Sequence, residues 1–114
     1  MPKQANRDRT SNVQSDIFTG LQQWYLAQCD GDWEHSYGVH VETLDNPGWL
    51  LKVDLRDTSL AERPFQPTTR EHERDWFQCH RSDDQFIAAG GPLMLHELVS
   101  IFLTWAQTPE PPTP

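Results

Sequence analysis

The sequence predicts a small α+β domain: an N-terminal helix, an antiparallel sheet of four to five strands built from two hairpins, and a C-terminal helix packed on that sheet. Apolar residues recur at helical spacing near both ends of the chain and alternate with a period of two in between. The 114 residues suit one core, since single domains commonly have about 100–150 residues. We expect one domain over residues 15–107, a disordered tail at 1–14, and a disordered Pro-rich tail at 108–114.

The first helix is predicted to begin at Ser15 or Asp16 and to end near Gln28. A side-chain oxygen at either starting position can accept an amide hydrogen of the first turn. The large apolar groups of this helix fall on one stripe, which consists of Ile17, Leu21, Trp24 and Tyr25. This stripe needs a sheet to cover it.

A first β-hairpin is predicted directly after this helix. Apolar and polar residues alternate over residues 37–44 and again over residues 49–56, which is typical of half-buried strands. Between them, residues 45–48 form an Asp-Asn-Pro-Gly turn. The two strands therefore pair in the antiparallel sense.

Residues 57–72 contain two prolines, which cannot donate to a central ladder, so we expect a loop with at most an edge strand. A second hairpin is predicted beyond it, with strands at 75–81 and 85–89 and a turn at 82–84. The glycine pair before Pro92 then lets the chain leave the sheet. The closing helix runs to about Gln107, and its apolar face comprises Leu95, Leu98, Val99, Phe102, Trp105 and Ala106.

The charge balance bears on the partners that the protein can have. The chain has 17 acidic and 9 basic residues and a net charge of −8. Long-range repulsion opposes an approach to nucleic acids or anionic membranes, so we predict neither as a direct ligand. The same field attracts a basic surface, such as the active site of a nuclease. The alternative interpretation is that a net charge of this size only keeps a small domain soluble.

Nothing in the sequence predicts export. The first residues are polar, without the apolar segment of a signal peptide, and no run approaches about 18 consecutive apolar residues. The two cysteines, Cys29 and Cys79, are far apart in the chain, which suits reduced thiols in a cytosol. We therefore expect a cytoplasmic protein.

The densest polar run covers residues 29–35 and carries three carboxylates, an imidazole and a thiol. One interpretation is a small enzyme: a thiol-dependent transferase with Cys29 as nucleophile and His35 as base, or a hydrolase that uses Asp32, Glu34 and His35. The structural alternative is a loop that ends the helix, with its glycine in a left-handed conformation and solvated acids around it.

A metal site is not predicted, and neither is a cofactor. Asp30, Asp32 and His35 would need a distant fourth ligand such as Cys79 or His80, whereas structural zinc favours closely paired Cys and His ligands. Cys79 and His80 are adjacent on a predicted strand, so they point to opposite faces and cannot both bind one ion from it.

Five tryptophans are many for a chain of this length. Trp24 and Trp105 lie on helical stripes and Trp49 on the apolar face of a strand, so core packing explains all three. Trp33 lies among the acidic residues. It is either an apolar anchor at a protein interface or a lid folded over the core.

Three stretches of the sequence, residues 24–38, 42–49 and 90–92, resemble the immunity protein 53 family of bacterial polymorphic toxin systems. The resemblance spans residues 18–106. It implies a protein that protects the producing cell by binding a cognate toxin, in a stoichiometric inhibition that needs no catalytic residues.

Combined with the charge, the resemblance places a partner-binding surface on the acidic loop, facing a cationic toxin that we expect to be a nuclease domain. The predicted contact residues are Asp30, Asp32, Trp33, Glu34, His35 and Tyr37, with Asp45 and Asn46 beside them if the hairpin folds back. Two alternatives are the loop 57–74 and the solvent face of the sheet, which would present His40, Glu42, Lys52, Asp54 and Arg56. The sequence fits a monomer or a homodimer.

Overall fold

The computed structural model describes residues 17–108. The predicted tail at 1–14, the predicted helix start at Ser15 or Asp16, and all of the predicted tail at 108–114 except residue 108 lie outside the described residues. Within them the order of elements is α1 (17–28), α2 (Trp33–Ser36), β1 (Val39–Leu44), β2 (Gly48–Asp54), β3 (Thr68–Arg70), β4 (Phe77–Ser82), β5 (Gln85–Gly90) and α3 (Leu95–Gln107). The predicted α+β class is confirmed.

The five strands form one antiparallel sheet in the order β1-β2-β5-β4-β3. Both predicted hairpins are present, and they meet where β2 pairs with β5, with Val53 opposite Phe86. As the prolines of the central loop predict, β3 is a short edge strand. The one-turn helix α2 was not predicted, because four residues are too few to show a helical period.

One face of the sheet carries the core. Leu51, Val53, Phe86 and Ala88 are buried on this face, and α3 packs on it through apolar side chains such as Phe102. Of the predicted α1 stripe, Ile17, Leu21 and Trp24 pack against the same layer, whereas Tyr25 is 38% exposed. The Trp24 ring meets Phe102 edge to face, with the ring centroids 5.1 Å apart.

The opposite face of the sheet has no helix packed on it within residues 17–108. It carries the alternate side chains of each strand, so that His40, Lys52, Ile87 and His80 lie in one row across four strands. The sheet is therefore covered on one side only, which is common for antiparallel sheets.

The loop between β2 and β3 closes over the β4 side of the core. Leu60 is buried, and the Phe65 ring meets Phe86 edge to face at 5.2 Å between centroids. Arg81 on β4 binds this loop, since its guanidinium group donates to the main-chain oxygens of Leu60, Ala61 and Arg63. One side chain thus fixes a loop that has little regular structure of its own.

Two glycines allow close contacts between main-chain segments. A Cβ on Gly48 would overlap the carbonyl oxygen of Gly90 on the neighbouring strand, and a Cβ on Gly91 would overlap the carbonyl oxygen of Arg74. Gly91 also donates its amide hydrogen to Trp76 at 3.0 Å. The predicted change of direction at the glycine pair is therefore a closely packed junction between β5 and the start of α3.

Candidate functional site

The acidic run is a loop whose carboxylates bind its own backbone. Asp30 Oδ1 accepts hydrogen bonds from the amides of Asp32 and Trp33, both at 3.0 Å. The Glu34 carboxylate accepts from the amides of Asp30 and Gly31, at 3.0 and 2.8 Å. Gly31 has a φ of 90°, the left-handed backbone that glycine adopts without strain. The conformation of the loop is therefore set largely by hydrogen bonds among its own residues.

These hydrogen bonds also favour the ionised form of the two carboxyl groups. The amides of Trp33 and Asp32 lower the pKa of Asp30. The pKa of Glu34 is lowered by its own backbone amide and by the amides of Asp30 and Gly31. Donors stabilise the ionised form of a carboxyl group, so both groups stay negatively charged at neutral pH.

Trp33 lies beneath this loop, with 4% of its surface exposed. Its indole N–H donates to the carbonyl oxygen of Arg56 at 2.8 Å, which ties α2 to the end of β2. The ring packs against the rings of Trp24, Tyr25 and Tyr37, with centroids 6.1–6.2 Å away. In this conformation Trp33 acts as the lid over the core, and half-buried Tyr37 lies against it.

The structure separates the predicted contact residues into two groups. In the loop itself, Asp30, Asp32 and His35 are exposed and Glu34 is half-buried. Asp45 and Asn46 are also exposed, but they lie at the far end of β1. A strand of six residues spans about 20 Å, so the hairpin does not bring them beside the loop. Which of these residues contact a partner stays a prediction.

The β4–β5 turn contributes further carboxylates at the same end of the sheet as the acidic loop. The Asp84 carbonyl accepts from the amide of Leu55 at 2.7 Å, and the Asp84 carboxylate lies 3.6 Å from the Arg56 guanidinium. Arg56 is also the residue whose carbonyl holds Trp33. We name this surface the acidic end, and it comprises Asp30, Asp32, Glu34, Asp57, Asp83 and Asp84.

Sequence reasoning missed the second half of this surface. From the sequence, Asp83 is only a turn residue, and Asp57 is the first residue of the alternative surface 57–74. Both have left-handed backbones, with φ of 61° at Asp57 and 53° at Asp83. The acid-rich turns were visible in the sequence. Their convergence depends on the sheet register, in which Asp54 is opposite Gln85 and Gln85 is opposite Ser82.

Asp54 forms a polar cluster at the same end of the sheet, on its open face. Its carboxylate accepts from the Gly38 amide at 2.9 Å and from the Gln85 side chain at 2.9 Å, and it lies 3.2 Å from Nε2 of His40. Burial alone would raise the pKa of Asp54, but these partners outweigh it and the pKa is lowered. This carboxylate therefore stabilises the junction between β1, β2 and β5 in its ionised form.

Acid is expected to destabilise the fold, because the pKa values of Asp30, Glu34 and Asp54 are lowered by folding. Each group contributes its full stabilisation above its unfolded pKa, about 4 for carboxyl groups, and loses it as the pH falls through the lower folded value. The free energy of unfolding from urea titrations should thus decline below about pH 4. Asp54→Asn should flatten this decline, and an unchanged pH profile would contradict the assignment.

The geometry gives no support to the enzyme alternative. The Cys29 thiol donates to the carbonyl oxygen of Tyr25 at 3.4 Å, and Glu34 is bound to backbone amides. Cys79 is buried, and burial raises its pKa to about 12, so it stays protonated. Among residues 17–108, no cluster of His, Cys, Asp and Glu could hold a metal ion. As predicted, Cys79 faces the core while His80 lies on the open face.

The acidic end is thus a surface rich in carboxylates, of which Asp30 and Glu34 bind backbone amides. The model of the immunity protein 53 family matches residues 18–107. The chain belongs to the immunity protein 53 family. No curated protein and no solved structure gives a significant match.

The family assignment confirms the resemblance carried by residues 24–38, 42–49 and 90–92. For this immunity protein 53 family member, the match includes all five strands, α3 and the acidic end. Its name implies an immunity protein, which acts by binding a toxin. No helix within residues 17–108 has the length and apolar character needed to cross a bilayer.

Proposed function

We propose that the protein binds a cognate bacterial polymorphic toxin and neutralises it by stoichiometric inhibition in the cytoplasm of the producing cell. Membership of the immunity protein 53 family carries this proposal, because the match includes nearly all of the folded chain. The net charge of −8 supports a cationic partner, since opposite charges speed encounter and favour the correct orientation.

We place the contact surface on the acidic end. Three chain segments contribute carboxylates there, and Asp30 and Glu34 have lowered pKa values that keep them ionised. Two cations lie near this end, since Arg56 pairs with Asp84 at 3.6 Å and Arg81 donates to the carbonyl oxygen of Asp83, but the six carboxylates outnumber them. Trp33 supports this surface from below.

A toxin that acts on nucleic acid fits this surface by its chemistry. The active site of a nuclease binds phosphates through Lys and Arg, and carboxylates form charge-assisted hydrogen bonds with the same side chains. Asp32, Asp83 and Asp84 can therefore occupy positions that substrate phosphates would take. His35 is exposed on α2 and can add a polar contact to the same partner.

The test compares two triple variants that remove the same charge from opposite ends of the sheet. Asp32→Asn/Asp83→Asn/Asp84→Asn removes three carboxylates of the acidic end and spares Asp30 and Glu34, which hold the loop. Glu71→Gln/Glu73→Gln/Asp75→Asn is the matched control in the β3–β4 connection. Binding to the toxin encoded beside the gene should weaken about 10- to 100-fold for the first variant and about threefold or less for the control.

Salt and the two variants together separate the possible outcomes. Raising the salt concentration should slow association of the wild type more than of the acidic-end variant, because exposed charges are screened. Equal losses in both variants would mean that net charge alone acts. Tight binding unchanged in both would move the interface to the open face around His40, Glu42 and Lys52. No binding to the neighbouring toxin would refute the proposed function.

A further inference from the structure

Strand β1 is an unpaired edge of the sheet within the described residues. It pairs with β2 on one side, and no other strand of residues 17–108 pairs with its outer side. Gly38 directs its carbonyl oxygen to the amide of Asp54, 3.0 Å away. Because main-chain groups alternate in direction along a strand, Val39, Val41 and Thr43 direct their N–H and C=O groups away from β2.

The two edges of the sheet differ in their protection against pairing. At the opposite edge β3 has three residues and follows Pro67, and short edge strands with a nearby proline resist the addition of another strand. In contrast, β1 has six residues without Lys or Pro, and every second one is β-branched from Val39 to Thr43. Such an edge is suited to accept a further strand.

We propose that two copies of the protein pair through β1, antiparallel and centred on Val41, to form one continuous sheet. Val41 would lie opposite Val41 of the second copy, and Val39 opposite Thr43. All three residues carry outward main-chain groups, so each of these pairs can exchange two hydrogen bonds. This inference is independent of the proposed toxin-binding surface.

The polar side chains of β1 favour this register for two copies. Centring on Val41 places His40 opposite Glu42 of the second copy, twice by symmetry, on the open face of the sheet. An imidazole facing a carboxylate is compatible with strand pairing, whereas like charges directly opposite each other are destabilising. The two nearest registers are less favourable, because centring on Glu42 places the two Glu42 carboxylates opposite each other, and centring on His40 leaves Glu42 opposite Gly38.

Apolar surface lies along the same edge on the helix side. Val41 is 45% exposed although its neighbour on β2, Leu51, is fully buried. Leu26 on α1 is 69% exposed. An open groove of about 300 Å³ between α1 and β1 is lined by Leu21, Gln22, Tyr25, Gly38 and Val39. Pairing of two copies would cover the Val41 side chains, which the fold itself leaves in water.

Disulfide trapping tests the register directly. In the Cys29→Ser background, Val41→Cys would place the two introduced Cα atoms about 5.5 Å apart, within the range that a disulfide bridges. Thr43→Cys is the matched control, since its two copies would be separated by four residues along the strands, or about 13 Å. Mild oxidation should convert most of the Val41→Cys chains to disulfide-linked dimers. The linked fraction of the Thr43→Cys control should be at least fivefold lower. Equal linking of both would overturn the register.

Sedimentation of the full chain over a range of concentrations tests the pairing without a covalent link. The wild type and Val41→Thr should shift from monomer to dimer mass as the concentration rises, whereas Val41→Lys should stay monomeric with an unchanged far-UV spectrum. A wild type that remains monomeric throughout would overturn the proposal. If Val41→Lys then weakened toxin binding, the edge would instead accept a strand of the toxin. A dimer unaffected by Val41→Lys would assign association to another surface.

Discussion

Replacing Trp33 with alanine is expected to lower the free energy of unfolding by about 3–5 kcal/mol, the usual cost of removing a large buried aromatic side chain. The ring is 4% exposed and contacts three other aromatic rings. Its loss would also leave the carbonyl oxygen of Arg56 without its indole donor. Urea denaturation followed by far-UV circular dichroism measures the effect.

Trp33→Phe is the matched control for this prediction. It keeps most of the apolar contact and removes the hydrogen bond to Arg56, so we expect a loss of about 1–2 kcal/mol. Because the ring lies beneath the acidic end, this variant should retain toxin affinity at a temperature where it is folded. If Trp33→Ala left stability unchanged but abolished toxin binding, Trp33 would instead contact the partner directly.

Replacing Arg81 with alanine is the second large effect that we expect, with a loss of about 3 kcal/mol. The guanidinium group donates to the carbonyls of Leu60, Ala61 and Arg63. A hydrogen bond from a charged donor contributes about 1.5–3 kcal/mol, and the sum is reduced here because the released carbonyls can bind water. The loop that buries Leu60 and Phe65 would lose its attachment to the sheet.

Two variants check that geometry and not charge causes this loss. Arg81→Lys keeps the charge but lacks the planar array of donors, so it should recover about half of the lost stability. Arg56→Gln removes a cation whose pairing with Asp84 is largely exposed, with side chains 62% and 53% accessible. Exposed ion pairs contribute about 0.2–1 kcal/mol. Equal losses for Arg56→Gln and Arg81→Ala would contradict the proposed attachment.

The carboxylates of the acidic loop have two different roles. Some stabilise the loop conformation, and others contribute only surface charge, so their substitutions test different properties. Asp30 and Glu34 bind the backbone of the loop, so their substitution changes both the fold and the surface charge. Asp32 is exposed, and it is the residue of this run whose replacement reports on binding with the least effect on folding.

Local patterns predicted the elements of this fold because the patterns are themselves local. A period of two marked both hairpins, and apolar stripes at helical spacing marked α1 and α3. Pro64 and Pro67 limited the central segment to the short edge strand β3, since neither can donate to a ladder. The family resemblance also rests on contiguous residues, so it too was available before the structure.

Only the tertiary structure decided what the polar residues of the candidate site do. Trp33 among acidic residues fitted an interface anchor or a lid equally well, and its burial depends on rings from α1 and a carbonyl at the end of β2. Asp83 and Asp84 lie at the same end of the sheet as the acidic loop because β2 pairs with β5, while Asp45 lies at the other end of β1. A period along the chain fixes which side of an element is apolar, but the convergence of distant loops depends on strand register and packing. The sequence by itself therefore determined the family and all the elements except α2, and the fold determined which charges lie at the same end of the sheet.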